Sequence, residues 1–149
     1  MNPSEYQKLA ERTECNQNRA LARMQVMDTL LPNPSTTTIR LNHSIVGLAG
    51  EVGELASLLQ KLIYYGKWDG AGKEELVQKL ADEFGDCLWY IAEGLNALGL
   101  DMGVVMKANI AKLKVRYPHS YTDYHTDDEN RNREAEENAV ISEISSAGG

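Results

Sequence analysis

The chain is poor in the residues that most often announce redox chemistry, zinc or a membrane. Its 149 residues include only two cysteines, three histidines, four prolines and one phenylalanine. Cys15 and Cys87 lie far apart and form no Cys-x-x-Cys pair, and Cys87 falls in an apolar helical pattern, so both read as inert thiols in a reducing, cytoplasmic setting. The histidines form no ligand cluster of zinc spacing, and His43 alone reads as a capping or packing residue or as a nucleobase contact. No apolar stretch approaches the roughly 20 residues that cross a bilayer, and MNPSEYQKLAERTE lacks the apolar core of a secretion signal, so no membrane partner is expected. A basic stripe is also missing, which argues against direct nucleic-acid binding. Neither a Walker A sequence nor a dinucleotide-binding glycine fingerprint occurs, since LAGEVGEL has neither the spacing nor the strand context.

The chain does have apolar residues, 42% of the total, enough for one domain with a real core. The formal charge of -7 is concentrated at one end, where residues 123–149 hold eight acids and two bases. Residues 1–122 hold fourteen acids and thirteen bases, so the body is almost neutral and its charge pattern matters more than its sum.

The apolar spacing predicts an all-α chain. A first helix is expected from Pro3 to about Leu30, with a break available in the polar ERTECNQNR, followed by a loop at LPNPSTTT. A second helix should run from about Ile39–Asn42 to Tyr65, ahead of the turn GKWDGAG. A third is expected from Lys73 to Leu98, and a fourth from Asp101 or Met102 to Tyr117, with Asp101 as cap and Pro118 as stop. The acidic segment 119–149 either adds an exposed helix in its Glu/Ala-rich part or stays disordered. The expected division is a domain at 1–118 and a tail at 119–149.

Two acidic pairs stand out inside the apolar helices. Glu51 and Glu54 lie in GLAGEVGELASLL, and Glu83 and Asp86 lie in KLADEFGDCLWYI. At 100° per residue, Ile45, Leu48, Val52, Leu55, Ala56, Leu59 and Ile63 form one apolar face, with Glu51 at its boundary and Glu54 beyond it. Leu80, Phe84, Cys87, Leu88, Ile91 and Leu95 form the corresponding face, and Glu83 and Asp86 have the same offsets from Phe84 that Glu51 and Glu54 have from Val52. If the helices pack together, the acidic flanks can converge on one cleft. Carboxylates on neighbouring turns are oxygen ligands suited to a hard divalent cation, although a lone E-x-x-E is more often simply solvated. Gly50, Gly53 and Gly85 cost helix propensity of order 1 kcal/mol each, which close helix packing or substrate approach would explain.

GLAGEVGEL, LADEFGDCLWYIA, ALGLD and ANIAKLKVRYP, in this order, resemble the MazG-like all-α nucleotide pyrophosphohydrolases over roughly residues 39–118. The resemblance implies a four-helix-bundle-like domain assembled as a homodimer, or as a tetramer of two dimers. It implies hydrolysis of (deoxy)nucleoside triphosphates between the α and β phosphates, with Mg²⁺ as cofactor and Mn²⁺ able to substitute. Glu51, Glu54, Glu83 and Asp86 then become both metal ligands and catalytic residues, with Glu54 the first choice for the base and Asp82 a candidate to support the ligands. Substrate contacts are assigned to Asn109, Lys112 and Arg116 of the last motif, and to Lys61, Trp68 and Tyr117. A solvated basic face is the competing reading for Lys61, Lys112 and Arg116, as is packing for Trp68, Trp89, Tyr90 and Tyr117. Two alternatives stay open, a non-catalytic nucleotide-binding or regulatory helical protein and a hydrolase of an alarmone or other phosphorylated nucleotide. The base and sugar preferred are not legible.

Overall fold

The computed structural model describes residues 2–32, 36–66 and 72–147. Among these residues the chain is all-α, with six α-helices, two 3₁₀ turns and no strand. No helix among them is long and apolar enough to cross a membrane. Its contacts divide it into two compact units, Met1–Leu98 and Gly99–Gly149.

In the first unit α1 spans Pro3–Glu11, α2 Gln17–Leu30, α3 Thr37–Ile63 and α4 Lys73–Leu98. The polar middle of the N-terminal segment does break the helix. Asn2 and Glu5 cap α1 reciprocally, and the Asn16 side chain accepts from Arg19 N at 2.9 Å to start α2 afresh. Gly66 and Gly99 follow α3 and α4 with φ of 57° and 69°, the left-handed conformation that glycine adopts without a steric penalty. Pro34 and Trp68 lie outside the described residues.

The helices α3 and α4 form an antiparallel hairpin. Thr37 Oγ1 donates to Ala97 O at 3.4 Å and Ser44 Oγ to Tyr90 O at 2.7 Å, so the partner numbers fall along α4 as they rise along α3. The least exposed positions of α3 are spaced alternately by three and four, through Leu41, Ser44, Leu48, Glu51, Leu55, Leu58 and Leu62. On α4 they are Leu76, Leu80, Glu83, Cys87, Tyr90, Gly94 and Ala97. This is the narrow seam of two helices packed at a heptad-like repeat.

The seam splits each apolar face expected from the sequence. Leu48, Leu55, Leu80 and Cys87 enter it, whereas Ile45, Val52, Leu59, Ile63, Phe84 and Leu88 stay exposed. A single helix partner covers only the two central rows of an apolar face, and these faces are wider than that. The consequence for the acids is larger. Glu51 and Glu83 occupy seam positions rather than flanks, both half-buried.

Close approach in the hairpin falls at glycines other than those singled out above. A Cβ on Gly94 would lie 2.6 Å from Ser44 Oγ, and one on Gly47 2.1 Å from the Tyr90 ring, while Gly50, Gly53 and Gly85 face open space. Helix packing therefore does not account for the latter three. Gly94→Ala is expected to destabilise the hairpin by about 1–3 kcal/mol through overpacking. Gly50→Ala should instead stabilise it by up to ~1 kcal/mol through helix propensity. Urea unfolding midpoints of the two variants should shift in opposite directions.

In the second unit α5 spans Met102–Arg116 and α6 Arg133–Ser146, joined through 3₁₀ turns at Asp123–Thr126 and Asp128–Asn130. Asp101 caps α5, accepting from Val104 N at 3.0 Å, and Asn132 caps α6, accepting from Ala135 N at 3.0 Å. Of the two alternatives for the acidic segment, the helix is the one found, and it packs along α5. Glu136 is buried at 4% exposure.

Candidate active site

The hairpin brings acids from both helices together. Glu51, Glu83 and Asp86 each offer a carboxylate oxygen, and these three oxygens lie within 4.8 Å of one another. Glu51 and Glu83 meet because they face each other across the seam, and Asp86 because it stands one turn beyond Glu83 on the same side. Glu54 is close enough that its charge acts on both glutamates.

The electrostatics follow from that crowding. Partial burial, then the charges of Asp86 and Glu54, hold Glu51 above the ordinary glutamate range. Burial, then Glu54, Glu51, Asp86 and Asp82, do the same for Glu83. Half-buried carboxylates that repel one another are costly as bare charges, and a hard cation with oxygen ligands relieves both causes at once. The donor set is carboxylate oxygen alone, with no histidine or cysteine, which suits Mg²⁺ or Mn²⁺ better than a softer metal.

Beside the acids a groove of about 280 Å³ is lined by Glu54, Ser57, Leu58, Lys61, Lys79 and Glu83. Lys61 thus shares a wall with two of the four acids, Glu54 and Glu83. Lys79 also pairs with Glu75 at 3.1 Å. The remaining residues assigned to substrate lie elsewhere in the chain. Asn109 is exposed and Lys112 half-buried on α5. Tyr117 follows α5, its ring 5.6 Å from that of Tyr121. Arg116 donates to Glu136 from Nε at 3.1 Å and from Nη2 at 2.5 Å, and Arg131 donates to the same carboxylate at 3.2 and 2.9 Å. Trp68 lies outside the described residues.

Two constellations escaped the sequence. One is the Arg116–Glu136–Arg131 network, which joins residues that share no helical spacing. The other joins His43, Trp89, Tyr90 and Glu93. His43 Nδ1 lies 2.9 Å from Glu93 Oε2, and the His43 ring meets the Trp89 and Tyr90 rings edge-on, with centroids 6.3 and 5.6 Å away. Its only signal was that His43, Trp89 and Glu93 would share a flank once α3 and α4 paired.

An all-α hairpin that gathers carboxylates from two facing helices is the setting in which the family match falls. Residues 41–121 match the family model of the MazG nucleotide pyrophosphohydrolase domain, more than half of the chain, and the chain belongs to that family. It is 34% identical over 76 residues to the Gene 37 protein of Mycobacterium phage L5, an alignment covering 51% of this chain and 65% of that protein. The match thus spans less than two thirds of that relative's length. No solved structure matches.

Proposed function

We propose that the protein hydrolyses (deoxy)nucleoside triphosphates to a nucleoside monophosphate and pyrophosphate, using Mg²⁺. The observation that carries this reading is the triad Glu51, Glu83 and Asp86, with oxygens within 4.8 Å of one another beside Glu54, in a chain of this family. Those three residues would hold the cation. When bound, it neutralises phosphate charge, polarises the reacting phosphorus centre and acidifies a water. Glu54, on the rim of the groove, accepts the proton as the water oxygen adds to the α-phosphorus and the bond to the bridging oxygen breaks, releasing pyrophosphate. Lys61 in the same groove compensates phosphate charge. Asn109, Lys112 and Arg116 are assigned to the substrate by family resemblance and Tyr117 and Trp68 as aromatics able to meet a base, and Arg116 would act with one edge of its guanidinium already held by Glu136.

The protein acts in the cytoplasm as a homodimer. The hairpin's exposed apolar residues support this assembly, with Val52 at 51%, Leu59 at 47%, Phe84 at 57% and Leu88 at 53% exposure. They lie on the flank opposite Glu54 and Lys61, so a second hairpin can cover them and complete a four-helix bundle without closing the acidic groove.

The test is separation of products from a panel of ribo- and deoxyribonucleoside triphosphates with and without Mg²⁺. Expected is Mg²⁺-dependent release of monophosphate and pyrophosphate in equal amounts, lost in Glu54→Gln. A folded protein that binds nucleotides and turns none over would replace this reading with a nucleotide-binding one. Light scattering on Phe84→Asp should report a monomer where the wild type gives a dimer.

A further inference from the structure

We infer that His43, oriented by Glu93 and flanked by Trp89, is a nucleobase subsite that sets which triphosphate the hairpin accepts; this deepens the proposed function and rests on it. The observation is an aromatic and polar cluster on the same flank as the metal-binding acids. Asp86 and Glu93 are seven residues apart, which returns α4 to the same face two turns later, ~10 Å along the axis. Trp89 stands between them on that flank. His43 reaches it from α3, eight residues before Glu51, and its 2.9 Å contact with Glu93 fixes the side on which it lies. A nucleotide whose phosphates meet the acids has its sugar and base to extend along this flank.

The chemistry of the cluster fits a base better than it fits packing. Trp89 is 56% exposed although it is a large aromatic, and its ring meets Tyr90 edge-on with centroids 4.9 Å apart, so the indole is braced while much of it faces solvent. A braced, exposed indole is a stacking platform for a planar heterocycle. The Glu93 carboxylate only accepts hydrogen bonds, so His43 Nδ1 carries the hydrogen and donates it. In the neutral imidazole this leaves Nε2 as a bare acceptor. The His43 side chain is 58% exposed and that of Glu93 only 20%, so the carboxylate lies behind the ring and the imidazole faces outward. This is the arrangement in which a partner fixes a histidine's tautomer and ring plane for a third group. The group recognised is an N–H donor on the edge of a base stacked on Trp89. Glu93 is a positioning residue, acting on the base only through His43.

The experiment pairs kinetics with binding. Steady-state turnover of the triphosphate panel is compared for wild type, His43→Ala, His43→Gln, Trp89→Leu and Glu93→Gln, with folding of each variant checked by thermal unfolding. Expected for His43→Ala is a rise in KM of about 10-fold for the preferred nucleotide with kcat little changed, the pattern of lost uniform binding, and a flattened ranking among bases. His43→Gln, which keeps an acceptor, should recover part of the ranking. Trp89→Leu should raise KM for every base. In parallel, nucleoside monophosphates are titrated without metal against the fluorescence of the wild type and of Trp89→Leu, and the difference between the two is the Trp89 signal. Quenching by a base that His43→Ala weakens supports the subsite even if no triphosphate is turned over, so the failure of the reaction and the failure of the subsite are told apart. Unchanged KM and ranking in folded His43→Ala and Trp89→Leu, or monophosphates that leave Trp89 fluorescence untouched, would overturn it.

Discussion

Glu83→Gln is expected to lower turnover by about 10³-fold while making the metal-free protein more stable. The activity side follows from the number of ligands. Removing one of three carboxylates that would hold the cation forfeits most of its charge stabilisation, several kcal/mol. At 1.36 kcal/mol per decade this is a fall of about 10³ in kcat/KM. The stability side follows from the seam. Glu83 faces Glu51 with Glu54, Asp86 and Asp82 near, and burial and these charges raise its pKa. A carboxyl whose folded pKa is raised binds its proton more tightly in the folded state, so ionisation penalises folding. That penalty is absent below the unfolded carboxylate range and reaches its full value as pH rises through the raised folded value. The glutamine carries none of it. The melting temperature of Glu83→Gln should therefore exceed that of metal-free wild type at neutral pH, and the gap should close as pH is lowered into the carboxylate range. Added Mg²⁺ should raise the melting temperature of the wild type and leave the variant almost unmoved, because only a state that binds the ion is stabilised by it. Scanning calorimetry with and without Mg²⁺ reads all three effects. A variant that melts below the metal-free wild type, or keeps the wild type's Mg²⁺-dependent turnover, would remove Glu83 from the site.

This reversal of the usual relation between burial and stability marks where sequence reasoning reached and where it stopped. Helix ends were legible because local chemistry sets them. Lys73 and Leu98 bound α4 as expected, Asp101 caps α5, and the helix stops at Arg116, two residues before Pro118. The acidic residues were legible as a set because the E-x-x-E and E-x-x-D spacings repeat on two apolar helices. Their place in the seam was not. A glutamate at the boundary of an apolar face reads as solvated, and only the register of α3 against α4 puts Glu51 and Glu83 between the helices. The same register decides that Phe84 and Leu88 stay outside while Cys87 goes in. Tertiary pairing also brings Glu93 to His43, across fifty residues, and periodicity along one helix carries no information about it.

Glu136 makes the same point from the acidic tail, and Glu136→Ala is expected to release α6 from α5. The charge-rich composition of 119–149 suggested a solvated appendage, yet one of its carboxylates is buried and takes four hydrogen bonds from two guanidinium groups. Those bonds from Arg116 and Arg131 outweigh the opposing effect of burial and hold its pKa down at about 2. Truncation leaves two arginines facing each other without the anion between them. Removing one partner of a fully buried pair costs roughly 3–5 kcal/mol, and because these guanidiniums keep 20% and 18% exposure the expected loss is about 2–3 kcal/mol. The sign with pH is opposite to that of Glu83. A depressed folded pKa means that the contribution is complete above the unfolded carboxylate value, roughly 4.3, and is lost as pH falls through the folded value of about 2. Amide exchange should therefore show α6 protected in the wild type at pH 5 and still partly so at pH 3, with protection lost in Glu136→Ala at both. Because Arg116 sits in the motif assigned to the substrate, the variant also reads out whether α6 has a functional consequence. Release of α6 with an unchanged KM makes Glu136 a structural clamp, and a changed KM ties the clamp to the nucleotide through the guanidinium they share.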